Sequence, residues 1–152
     1  MDLHIREVST ENWQTIACLS VKKNQQDYIE SNALSIVQSM FESEWQSVGL
    51  YDGEIAIGYA MYGQVKREGD VWLDRFMIDA KYQGLGYASK ILPILLKHIE
   101  ELYDTEMIYL SVTRDNTKAQ ALYERLGFRF NGEEDHSGIV SGLVMVRDTS
   151  TI

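Results

Sequence analysis

The chain has one cysteine and one proline among 152 residues, three histidines, and only 14 lysines and arginines against 23 acidic residues. With Cys18 alone, neither an internal disulfide nor a thiolate metal centre can be assembled. Its place in an apolar-periodic stretch predicts a small buried residue rather than a nucleophile. His4, His98 and His136 lack ligand spacing, so no metal is expected. A formal net charge of −9 argues against nucleic acid or an anionic membrane as partner and leaves room for a small cationic one. No apolar run approaches the roughly 18 residues of a membrane span. The first residues, with Asp2, His4, Arg6 and Glu7, hold no signal-peptide core, so the expected location is cytoplasmic.

Apolar residues make up 45% of the chain and charged residues 24%, an ordinary globular composition. This length suits one domain, residues 1–152, that buries about two-thirds of its unfolded surface. Order is expected up to the polar residues around Thr149 to Thr151. Leu3 to Val8 alternates as a strand, and Thr10 is placed to cap a helix that buries Trp13, Ile16, Ala17 and Leu19. A second helical stretch is expected past Tyr28 and Ile29. Ser31 or Asn32 caps a third, with Leu34, Ile36, Val37, Met40 and Phe41 as its apolar face. Asp52-Gly53 joins Val48 to Tyr51 and Ile55 to Val65 as a hairpin, and Glu68-Gly69-Asp70 turns the chain into a strand from Val71 to Ile78. Ala88 to Leu102 has helical spacing. Pro93 within it costs ~3 kcal/mol unless the helix bends, which predicts a bend near Ser89. Met107 to Val112, a helix from Asn116 to Leu126 stopped by Gly127, and strands Phe128 to Asn131 and Leu143 to Val146 complete a mixed α/β sheet.

The stretch Asp74 to Ala88 reads as strand, short loop and glycine-opened helix. A helix N-terminus carries unpaired N–H groups and roughly half a positive charge, so a turn poor in side chains can press donors against a pyrophosphate. A dinucleotide fingerprint would need a third small position where Ser89 stands and an acidic residue about 20 residues on, and it finds neither. The Gly-Lys-Ser/Thr of a Walker loop is absent. Gln83, Gly86 and Ala88 instead match Gln/Arg-x-x-Gly-x-Gly/Ala, the coenzyme A pyrophosphate loop of the GNAT superfamily of N-acetyltransferases. Glycines that merely turn a strand into a helix are the plainer alternative.

A second run, Asn116-Thr117-Lys118-Ala119-Gln120-Ala121-Leu122-Tyr123-Glu124-Arg125-Leu126-Gly127-Phe128, resembles the helix after the fifth strand in GNAT enzymes. The two motifs stand in the family's order. Gly58 to Gly63, Trp72-Leu73-Asp74-Arg75-Phe76 and Asn24 to Ser31 further resemble bacterial spermine/spermidine acetyltransferases. The resemblance implies a mixed, mostly antiparallel central sheet flanked by helices, acetyl-CoA as co-substrate, a small cationic amine such as spermine or spermidine as acceptor, and a homodimer. It also implies coenzyme A contacts from Phe76, Met77, Ile78, Gln83, Gly84, Leu85, Gly86, Tyr87, Ala88, Ser89, Asn116 and Tyr123. Two positions depart from the pattern. Asp74 stands where the family often has Glu, and Gln83 where it often has Arg, which leaves more of the pyrophosphate to backbone donors.

Acetyl transfer to an amine needs three residue types. An alkylammonium resembles lysine, with a pKa near 10.4, so a base must take a proton before attack. Asp74 is the candidate, directly or through water; strand alternation would set it on one apolar face with Trp72, Phe76 and Ile78. A paired structural carboxylate or a substrate-binding charge is the alternative. The resemblance implies an oxyanion donor in the backbone N–H near Met77. Tyr123 is the candidate acid for the leaving thiolate, the alternative being a core tyrosine, and Asn116 either holds the pantetheine arm or simply caps its helix. For the amine, Asp27, Glu30 and Asp74 supply charge, with Tyr28 and Trp72 as aromatic walls. Asp27 and Glu30 could equally be solvated helix charges, and Glu133-Glu134-Asp135 either rims the pocket or solubilises a loop.

Overall fold

One seven-stranded sheet organises the molecule, in the order β1-β2-β3-β4-β5-β7-β6, antiparallel throughout except for the β4/β5 pair. The strands are β1 (Leu3–Glu7), β2 (Trp45–Asp52), β3 (Ile55–Gln64), β4 (Val71–Ile78), β5 (Met107–Val112), β6 (Arg129–Asp135) and β7 (Gly142–Asp148). The helices are α1 (Trp13–Cys18), α2 (Asn32–Phe41), α3 (Tyr87–Tyr103) and α4 (Thr117–Arg125). The computed structural model describes residues 1–66, 68–138 and 140–151. The mixed, mostly antiparallel sheet matches the expected fold class.

Helices α3 and α4 cover one face. Ile91, Leu92, Leu95, Leu96 and Ile99 of α3 recur at helical spacing and pack on Leu50, Ile57, Leu73 and Leu110. Pro93 sits on the exposed side, and α3 runs unbroken from Tyr87 to Tyr103. The opposite face carries a smaller core of Ile16, Ile36, Tyr59, Met61 and Met77. The chain closes with a 3-10 turn at Thr149–Thr151, so its polar end is locally structured.

Three local expectations are corrected. Helix α1 starts at Trp13 behind Asn12 rather than Thr10, and its six residues bury only Ile16, so Trp13 and Cys18 are exposed. The segment through Tyr28 and Ile29 is not helical. A 3-10 turn at Lys23–Gln25 runs into bends, in keeping with side chains such as Asn24 and Asp27 that compete for backbone hydrogen bonds. Helix α2 does begin after Ser31, which accepts from the Leu34 N–H at 3.1 Å, but it buries Asn32, Ser35 and Ile36. Asn32 Nδ2 donates to the carbonyls of Ile16 and Leu19 at 2.9 and 3.1 Å, and Ser35 Oγ to that of Ser31 at 2.9 Å. Those bonds fix the polar side inward, leaving Leu34, Val37, Met40 and Phe41 exposed.

Candidate active site

Strands β4 and β5 run parallel but are paired only at Trp72 and Tyr109, whose rings stack 5.4 Å apart. Beyond that pair a cleft of about 360 Å³ opens, lined on one side by Leu73 to Ile78 and on the other by Leu110 to Thr113. It lies at the carboxyl ends of two parallel strands, where α/β sheets bind ligands. Trp72 thus marks the fork and does not line the cleft.

Asp74 is the extra residue of a β-bulge. Met61 faces Arg75 across the β3/β4 ladder and Tyr62 faces Leu73, so nothing on β3 opposes Asp74. A bulge resets alternation. Phe76 and Ile78 consequently join Val71 and Leu73 in the core beneath α3, whereas Arg75 shares the opposite face with Met77. The expected single face of Trp72, Asp74, Phe76 and Ile78 is corrected on this point.

The ladder also settles which amides face the fork. Asp79 N–H donates to the Ile57 carbonyl at 2.8 Å, and Met77 lies opposite Tyr59 two positions back. Bonded and non-bonded pairs alternate in antiparallel pairing, so Met77 turns its N–H to β3 while Phe76 and Ile78 turn theirs to the cleft. In agreement, the Ile78 carbonyl accepts from Gln83 Nε2 at 2.9 Å rather than from β3.

At the mouth, Gly84 and Gly86 hold φ of 78° and 85°, and Gly86 is the N-cap of α3. No side chain caps that helix and its first turn has no acidic residue, so its leading N–H groups are available. A Cβ on Gly84 would meet nothing within 4 Å, and one on Gly86 only Lys90 Cε at 3.9 Å, so the turn opens onto free space. Tyr87, Ala88 and Ser89 line the cleft beside it; Leu85 is 58% exposed and does not. The amide of Gln83 is engaged by the protein, donating to Gln25 Oε1 and the Ile78 carbonyl, both at 2.9 Å. It ties the Lys23–Gln25 turn to the end of β4. Asn116 caps α4 by accepting from the Ala119 N–H at 3.3 Å, and it lines the cleft as well. Both readings of that residue are therefore compatible with its position.

Tyr123 is buried against Phe128, with ring centroids 5.7 Å apart, and lines the cleft. Its hydroxyl has no hydrogen-bond partner among the described residues. Burial pushes the phenol pKa well above its ordinary value.

The other end of the cleft is acidic. Tyr28, Glu30, Asp74 and Asp135 line it, while Asp27 is exposed and lies outside. Glu30 is buried at the end of the loop before α2, not solvated on a helix, and pairs with Arg75. Arg75 also pairs with Asp74 and donates to Gln38 Oε1 at 3.1 Å. Burial pushes the Asp74 pKa up, Arg75 pulls it down, and the nearby charges of Asp135 and Glu30 push it up again; the result is raised. Arg75 was not anticipated. The available signal was a charged side chain in an apolar strand, which is rarely buried without a partner. Glu30→Gln keeps the shape but removes one of the two carboxylates on a buried guanidinium, and is expected to cost about 1–2 kcal/mol in urea unfolding. An unchanged midpoint would show that the pair contributes nothing to stability.

Residues 10–128 match the Acetyltransferase (GNAT) family model. The spermine/spermidine N(1)-acetyltransferase of Bacillus subtilis is 41% identical over 144 residues, covering 91% of this chain and 95% of that one. Among solved structures, the spermidine N-acetyltransferase of Vibrio cholerae in complex with CoA and spermine superposes with a TM-score of 0.76 at 21% identity, covering 98% and 96% of the two chains. The PaiA N-acetyltransferase of Thermoplasma acidophilum in complex with coenzyme A gives 0.67 at 17% identity, covering 97% and 99%. With a family model spanning most of its length and a forked, glycine-mouthed cleft between β4 and β5, the chain belongs to the GNAT family of acetyltransferases.

Proposed function

We propose that this chain transfers the acetyl group of acetyl-CoA to a primary amine of a polyamine such as spermine or spermidine, as a single catalytic domain of residues 1–152. The carrying observation is one continuous cleft with chemically opposite ends: unpaired helix N–H groups at its mouth and carboxylates at its far end. The first suits a pyrophosphate and the second a chain of ammonium groups.

Acetyl-CoA supplies an acetyl group activated as a thioester. The glycine turn and the first turn of α3 would hold its pyrophosphate, and the Phe76 and Ile78 amides with Asn116 its pantetheine arm. Asp74 takes the proton that the acceptor ammonium must lose, directly or through water, so that its nitrogen can form the C–N bond. The Phe76 or Ile78 N–H, rather than that of Met77, stabilises negative charge developing on the carbonyl oxygen. Tyr123 gives its proton to the sulfur as the C–S bond breaks; the cationic nitrogen sheds its second proton as the amide forms, which restores the phenolate through solvent, and the proton held by Asp74 is released as the net proton of the reaction. Because the Asp74 pKa is raised, activity should fall on acidification above the ordinary aspartate range.

Thiol release from acetyl-CoA with spermine, spermidine, a monoamine, an aminoglycoside, an amino acid and a lysine peptide tests the reading. The polyamines are expected to give the highest kcat/KM. A leading aminoglycoside or peptide overturns the acceptor class, and acyl-CoA binding without turnover by any amine would make the chain a non-catalytic binding module. The 41% relative, named for spermine and spermidine, supports the polyamine arm. A homodimer is a separate proposal that rests on the family resemblance, tested by sedimentation of the purified chain. A cytoplasmic location is likewise a proposal, supported by the likeness to a bacterial acetyltransferase. Among the described residues no helix is long and apolar enough to cross a membrane.

A further inference from the structure

Three carboxylates face the acidic end of the cleft, and they are not equivalent. Glu30 and Asp74 share the Arg75 guanidinium, which is 8% exposed and has no other acid on it among the described residues. Two negative charges against one positive charge at short range leave that group with a small net charge, already committed to an internal cation. Asp135 stands apart at the end of β6. Its Oδ1 accepts from the Ser137 N–H at 3.0 Å and the Ser137 hydroxyl at 2.6 Å, and no cation of the described chain pairs with it. It is nonetheless close enough to Asp74 to raise that carboxyl's pKa. The loop it opens also reaches the acid pair, since a Cβ on Gly138 would stand 3.4 Å from Glu30 Oε2.

The geometry points to Asp135 as the specificity-determining residue that receives a second, non-reacting ammonium of the acceptor, with Ser137 and Gly138 beside it as the wall that selects polyamines. This deepens the acetyl-transfer reading and rests on it. The reacting nitrogen must lie where Asp74 can take its proton. A carboxylate with an unshared charge beside Asp74 is then placed to hold the next nitrogen along a short methylene spacer. Glu30 is the less suited group, because an ammonium reaching it must compete with a buried guanidinium already in contact. A monoamine has no nitrogen to offer Asp135, so this contact distinguishes the acceptor classes by binding rather than by chemistry.

The test compares spermidine with n-butylamine in Asp135→Asn. Asparagine keeps an oxygen for the Ser137 N–H, so the local turn is retained while the charge is lost. The spermidine to n-butylamine ratio of kcat/KM is expected to fall about tenfold, through KM for spermidine, and the loss should shrink as salt screens the wild-type contact. An unchanged ratio in a folded variant overturns the assignment. So does a larger fall in the ratio for Glu30→Gln than for Asp135→Asn, which would move the second ammonium to Glu30. If the wild-type chain acetylates no amine, the proposed function itself has failed, a result distinct from an amine acetyltransferase whose selectivity ignores Asp135.

Discussion

Tyr123→Phe is expected to lower kcat about 100-fold while leaving acetyl-CoA affinity and the urea midpoint largely unchanged, within the range typical of general acid catalysis. The expectation follows from an inconsistency in treating Tyr123 as mere core. Its hydroxyl has no hydrogen-bond partner among the described residues and is not sealed from solvent, so its proton faces the cleft that the residue lines. Phenylalanine keeps the edge-to-face contact with Phe128 and all of the buried ring. Folding therefore has little to lose, and catalysis loses the proton that Tyr123 presents to the cleft. The raised pKa keeps the phenol protonated throughout the neutral range but also makes it a weaker acid than a thiol, so the transfer is driven by the charge that develops on sulfur as the C–S bond breaks and by the return of a proton from the amine nitrogen. An interaction made only in the transition state lowers kcat and kcat/KM together. A variant that turns over normally would return Tyr123 to the core, and one that melts early would show that the hydroxyl is structural after all.

What could be read from sequence, and what could not, divides by the range of the physics. The β2–β3 hairpin, the Ser31 cap and the periodic face of α3 each declare themselves within a few residues and each is present, although the hairpin's two-residue loop is Gly53-Glu54, one residue past the expected Asp52-Gly53, because Asp52 still pairs with Ile55. The glycine turn is equally local: Gly84 and Gly86 take the left-handed conformations that their neighbours demand. The bulge at Asp74 is not local. It exists because Tyr62 pairs with Leu73 while Met61 pairs with Arg75, a register choice made across two strands. One unpaired residue then moves Phe76 and Ile78 beneath α3, turns the Met77 amide away from the fork, and sets Arg75 between Glu30 and Asp74. The inward face of helix α2 is also set at a distance, since Asn32 is drawn inward by the carbonyls of Ile16 and Leu19 in and after α1. Composition signalled acidity, but only the fold shows that two of the three cleft carboxylates already have a cation.

Gly86→Val is expected to weaken acetyl-CoA binding at least 100-fold, about 2.7 kcal/mol, with the fold retained. Two costs separate cleanly here. Gly86 sits at φ 85°, where an L side chain is strained by roughly 1–2 kcal/mol and a β-branched one by more. That part lowers stability whatever the ligand. The second cost is steric and specific to the cleft: within the protein a Cβ would approach only Lys90 Cε, at 3.9 Å, so the branched side chain projects into the space in front of the α3 N–H groups. A pyrophosphate must come close to those donors to use them, and Gln83 offers no positive charge in compensation because its amide is spent on Gln25 and Ile78. Gly69→Val is the control. Gly69 has φ 77° and open space around its Cβ position, in the turn between β3 and β4 and away from the cleft, so it carries the strain without the obstruction. Calorimetric titration with coenzyme A should show near wild-type affinity for a folded Gly69→Val and severe loss for Gly86→Val. Equal weakening in both would assign the effect to global strain, and wild-type affinity in a folded Gly86→Val would remove the pyrophosphate from the N-terminus of α3.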